Sequence, residues 1–175
     1  MVPTETDVFW ENIHWNIDQI AVQQAQAEKV NGRAKSGYYK AAILLASSVV
    51  EALAYKLLEQ EIARLPEDRL PLQDWECFES KNLWTDLTKD GTRLAICKRR
   101  QPRFQLKTHT DFKAVNETCL KLSIFMRPFF KHIERVRETR NKIHLQNLDR
   151  VERSWTKRDL EMVSSVLNGL IDKFN

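Results

Sequence analysis

Arg137, Arg140 and His144 recur at steps of three, four and seven in Arg137-Glu-Thr-Arg140-Asn141-Lys-Ile-His144-Leu. A helix through this segment carries all three on one face, within mutual reach. Two permanent cations beside a group that titrates near neutral pH suit phosphate binding combined with proton transfer. Crowding such groups costs free energy unless an anion sits among them, either a carboxylate from a neighbouring helix or a bound phosphate. Glu51 is the internal candidate, because it is the only charged residue between Lys40 and Lys56. A carboxylate buried among apolar neighbours needs a partner. The competing reading is structural: Glu51 and Arg140 form an ion pair, Arg137 is solvated, and His144 caps the helix, where a cation gains roughly 0.3–1 kcal/mol. Spacing alone favours that reading.

The elements that must position these residues follow from periodicity. Phe9, Ile13, Ile17, Ile20, Gln24 and Ala27 form a largely apolar stripe that predicts a first helix over about 5–30, with Thr4 or Thr6 as its cap. Asn31-Gly32 ends it. A second helix is expected after Gly37, through Tyr39, Ala42, Ile43, Ala46, Val49, Val50, Leu53 and Leu57. Its opposite side is apolar too, which belongs in the middle of a bundle. From 64 to 110 the period breaks, giving an irregular basic insertion. Within it Arg93–Lys98 and Arg103–Thr108 alternate weakly around Gln101-Pro102, as a short hairpin would. Phe112, Val115, Cys119, Leu122, Met126, Phe129, Ile133 and Val136 then predict one long helix kinked at Pro128. The next register position is Arg140, where an apolar residue is due. Thr156-x-x-Asp159 resembles a capping box and opens a last helix through Leu160, Val163, Leu167, Leu170, Ile171 and Phe174. The expected fold is all-α, an up-and-down bundle of about four to five helices forming a single domain over 1–175, with the insertion between helices two and three.

Arg137-x6-His144 with Arg140-Asn141 embedded, at the end of a long third helix and after the Gly37-Tyr-Tyr-Lys-Ala-Ala…Val50-Glu51 helix, resembles the HEPN superfamily of helical RNases and nucleotide-binding modules. That family is defined by an Arg-x4–6-His motif in this place. The helix order fits from residue 5 to 174, and the insertion has no counterpart. Arg137 has the family spacing but is followed by Glu138, whereas Asn141, the polar residue the family often places after its arginine, follows Arg140. Either arginine can therefore carry the family role. The resemblance implies metal-independent RNA cleavage, in which a ribose 2′-OH attacks the adjacent phosphate and leaves a 2′,3′-cyclic phosphate and a 5′-OH. His144 would transfer the proton and Arg137, with Arg140, would hold the phosphate. Asn141 and Glu51 would support them. One His cannot be base and acid in a single concerted step, so a homodimer with paired motifs is the simplest arrangement.

Composition limits the alternatives. The chain has 175 residues with 42% apolar and 30% charged residues and four Gly, which is helical usage. Neither GxGxxG nor GxxxxGK[ST] occurs, so dinucleotide and triphosphate cradles lack support. No cofactor is expected. The longest uncharged stretches are about half a membrane span, and Met1-Val-Pro-Thr-Glu lacks a basic leader, so a soluble cytoplasmic chain is expected. Cys77, Cys97 and Cys119 have no CxxC spacing and read as reduced and structural. His14, His109 and His132 lack ligand spacing, so no metal site is expected. Trp10 and Trp15 fall off the main stripe, where they could cover a second helix or a dimer partner. The net charge of +4 is uneven: 89–110 carries seven Lys/Arg against Asp90. Lys98, Arg99, Arg100 and Arg103 beside Phe104 mix basic and aromatic groups as RNA-binding loops do, although short basic runs are more often simply solvated. RNA is the expected partner, with an antitoxin or other regulatory protein in a toxin or defence system. A catalytically inert helical module binding a partner protein or nucleotide is the alternative.

Overall fold

The computed structural model describes residues 5–73, 75–82, 95–143 and 153–174. The first helix, α1 (Glu5–Lys29), buries Ile13, Ile20 and Ala27 at intervals of seven against α2 (Gly32–Arg64). Thr6 lies inside α1, and Thr4 is outside the described residues. Trp10 packs edge-on against Phe174 at 5.0 Å, while Trp15 remains 60% exposed.

Contrary to the expected start after Gly37, α2 begins at Gly32, whose φ of +62° turns the chain out of α1. Gly37 lies inside the helix with open space around it. Its cost of about 1 kcal/mol is overridden by the turns that follow, where Tyr39, Ala42, Ile43, Ala46, Ser47, Val49, Val50, Leu53, Ala54 and Leu58 are buried over half the circumference and Ala41, Leu44, Leu45, Ala52 and Tyr55 are half-buried on the other side. Such a helix must be central, and α2 touches every other helix. By length and composition α2 could cross a membrane, and 56% of that window is buried inside the bundle.

The insertion opens with a 3-10 turn, Glu67–Arg69, and among its described residues contains two antiparallel strands, β1 (Glu76–Asn82) and β2 (Ala95–Arg100). A hairpin is present, but its partners differ from those expected. β2 pairs backward with β1, and Gln101-Pro102 belongs to the returning arm. There the Pro102 carbonyl accepts from Gln73 N at 2.8 Å, and Phe104 N donates to Pro71 O at 2.8 Å. Proline lacks an N–H yet keeps an acceptor, so this arm can still be tied down.

The long third helix is two helices, α3 (Phe112–Lys121) and α4 (Arg127–Ile143). Ser123 takes φ of +60°, and Ile124 N donates back to Cys119 O at 2.9 Å, which closes α3. Pro128 then falls in the first turn of α4, where its missing N–H costs nothing. This break resets the stripe: Phe125 is buried at 1%, whereas Met126 is 78% exposed. Cys119 is core, and burial pushes its thiol up to about 12.

The last helix, α5 (Lys157–Ile171), carries the expected capping box. Asp159 N donates to Thr156 Oγ1 at 3.4 Å, and Thr156 N donates to Asp159 Oδ2 at 3.0 Å. Gly169 admits the Phe129 ring of α4, which a Cβ would meet at 2.9 Å. Burial alone would raise the Asp159 carboxyl, but hydrogen bonds from Thr156 and Arg153 outweigh it and hold the group below its ordinary range. A carboxylate depressed in the folded state contributes stability above its unfolded pKa and loses it as pH falls through the folded value. Asp159→Asn should lower stability at neutral pH by about 1 kcal/mol and flatten the acid limb below roughly pH 4. Urea midpoints across pH check both. The fold is an all-α bundle of five helices among the described residues, with a small hairpin in its insertion.

Candidate functional site

Arg140 lies where the apolar stripe of α4 reaches α2. Its Nη1 donates to Glu51 Oε2, an ion pair spanning 89 residues of sequence. The expected partner is found, but the expected full burial is not. The Glu51 side chain is 34% exposed and that of Arg140 30%. Their turn is at the edge of the interface, so both keep part of their hydration. Glu51→Ala should therefore cost about 1 kcal/mol rather than the several a fully buried carboxylate would imply. Chemical denaturation, with Glu51→Gln as the conservative control, measures this.

Arg137 neither pairs with Glu51 nor stands solvated. Its Nε and Nη2 donate to Glu134 Oε2 at 3.0 and 2.8 Å, one turn earlier on α4. That bond raises the guanidinium pKa further, against the opposing effect of burial, so Arg137 stays charged. Glu134 is itself held, because Asn116 Nδ2 of α3 donates to its other oxygen at 2.6 Å. Asn116 is fully buried and also reaches Phe130 O at 3.4 Å, while its Oδ1 finds no donor among the described residues. Asn116 and Glu134 were not legible as site residues. The one available signal was a polar residue beside the apolar stripe of α3, a step of 18 residues from its partner.

His144 follows Ile143 directly and lies outside the described residues, as does all of 144–152. Asn141 is exposed. Alongside the arginine turns, a groove of about 680 Å³ runs between α4 and α5. Its cations are Lys131, Arg135, Lys142 and Arg153, against Glu134, Glu138 and Asp159. Arg137 and Arg140 do not line it.

The basic loop divides. Arg99 and Arg100 are exposed, and the Arg99 guanidinium stands 6.0 Å from the Trp75 ring centre. Arg103 turns inward, donating to Leu70 O at 2.9 Å, and so ties the insertion together instead of standing free for a phosphate. The Lys98 side chain lies outside the described residues. Among the described residues no group of three His, Cys, Asp or Glu side chains could hold a metal ion.

Comparison with family models, with curated proteins and with solved structures returned no match.

Proposed function

We infer that this protein is a metal-independent endoribonuclease of HEPN type, acting in the cytoplasm as a homodimer within a toxin or defence system under a regulatory partner. What supports the reading is that both motif arginines are pre-positioned. Glu134 holds Arg137, Glu51 holds Arg140, and both guanidinium side chains remain partly exposed. An arginine has five N–H donors, and each carboxylate occupies only some of them. Those left over can meet a phosphate without the entropy cost of ordering a free side chain. Both arginines sit on the helix that leads into His144, the group that would carry the proton. The test is incubation of purified protein with RNA in the presence of a chelator. The expected result is cleavage leaving 2′,3′-cyclic phosphate and 5′-OH ends, in a protein that runs as a dimer by light scattering. Loss of cleavage on chelation, or different end groups, contradicts it.

The same ion pairs also suit the second reading, an inert helical module that binds a protein or nucleotide partner. In that case the carboxylates simply neutralise the two arginines, and nothing requires His144.

A further inference from the structure

A second feature lies on the other side of α3. Ala114, Glu117, Thr118 and Lys121 fall at steps of three, four and seven on α3, and they form one wall of a groove of about 400 Å³. Trp75, Leu72 and Phe104 of the insertion line the other. Phe104 is buried, but Trp75 is 57% exposed. A large aromatic ring left open to water invites a partner. The arm carrying Trp75 is not loose. The bonds Gln73 N to Pro102 O and Phe104 N to Pro71 O, the bridge from Leu72 to Arg103, and Arg103 on Leu70 O all anchor it. The chain is therefore held as far as Gln73 before the ring and from Glu76, which pairs with Arg100, after it. Exposed cations, Arg99 beside the ring and Lys121 on the groove wall, flank it. Gln73, Glu117 and Thr118 add hydrogen-bonding groups within the groove.

An open aromatic face, flanking cations and a few polar groups for a heterocycle's edge are what single-stranded nucleic acid requires. We propose that this groove is a second RNA site, in which an unpaired base stacks on Trp75 while its flanking phosphates lie along Arg99 and Lys121. The proposal rests on the RNA reading but not on cleavage. The groove and the Glu134–Arg137 pair are separated by α3, one helix diameter or about 10 Å, so one strand could occupy both. The substrate class is then single-stranded RNA, because a base within a duplex cannot offer its face.

The experiment measures binding of a labelled single-stranded RNA to the full chain carrying His144→Ala, so that no substrate is consumed. Adding Trp75→Ala should weaken binding roughly tenfold, while Trp75→Phe keeps affinity within about threefold. Arg99→Ala and Lys121→Ala should each reduce the slope of log affinity against log salt by about 0.7, and Trp75→Ala should leave it unchanged. A duplex of the same sequence should be insensitive to Trp75→Ala. Unchanged affinity in Trp75→Ala, equal losses on duplex and single strand, or no binding to single-stranded RNA at all overturns the proposal. The two readings fail separately. Trp75-dependent binding by a wild type that does not cleave removes the nuclease alone, and cleavage with Trp75-independent binding removes this site alone.

Discussion

Replacing His144 by Ala is expected to lower the rate of RNA cleavage by roughly 10²–10⁴-fold, with folding and RNA affinity nearly intact. The magnitude is that of removing one positioned proton-transfer group. It is large because the 2′-OH must lose a proton as it attacks and the departing 5′ oxygen must gain one. The arginines cannot substitute, since a guanidinium stays protonated at any working pH. Arg137 is held still further on the charged side by Glu134. It can stabilise charge on the phosphorane, but it cannot exchange protons. Arg137→Ala should consequently weaken both binding and rate, whereas His144→Ala should affect rate alone. The measurement is single-turnover cleavage with affinity determined in parallel. Cleavage that survives His144→Ala at full rate removes the enzymatic reading and leaves the partner-binding module.

Glu134→Ala should destabilise the protein by roughly 1–3 kcal/mol and, independently, slow cleavage by about 10–100-fold. The stability loss arises because Asn116 is fully buried and would lose its best acceptor, leaving the 3.4 Å contact with Phe130 O. The rate loss arises because Arg137 would lose the carboxylate that fixes its guanidinium, and small displacements of a phosphate-holding group are costly in the transition state. Glu134→Gln separates the two effects. Its carbonyl oxygen can still accept from Asn116, so most of the stability should return, but the amide nitrogen then facing Arg137 is a donor and cannot hold a guanidinium, so the rate loss should persist. Urea denaturation and single-turnover rates on the three proteins decide the matter. A Glu134→Ala protein with reduced stability but an undiminished rate would make Glu134 a structural residue only.

The parts of this fold legible in the sequence are those written in local periodicity. The stripe of α1, the all-round apolar character of α2 and the Thr156–Asp159 capping box each depend on side chains within a turn or two of one another. Periodicity misleads where a regular pattern runs across a change in backbone direction. Phe112 to Val136 keeps a three-four spacing, but Ser123 leaves the helical region, so Phe125 rather than Met126 enters the core. Hydrophobic spacing reports which faces are apolar and is blind to a single left-handed residue. The hairpin departs from its expected partners for a related reason: strand pairing depends on a partner elsewhere in the chain, and alternation within β2 does not name it.

Within the candidate site, the residue types and their helical spacing came from sequence, as did the requirement that Arg140 meet an anion. Glu51 was its candidate for that anion, whereas that Arg137 takes Glu134, and that Glu134 is itself held by Asn116, were decided by tertiary structure alone. The charge of a side chain demands a counter-charge wherever it is desolvated. Which carboxylate supplies it depends on how α2, α3 and α4 pack, and the same packing leaves Glu51 one-third exposed where its sequence neighbours imply full burial.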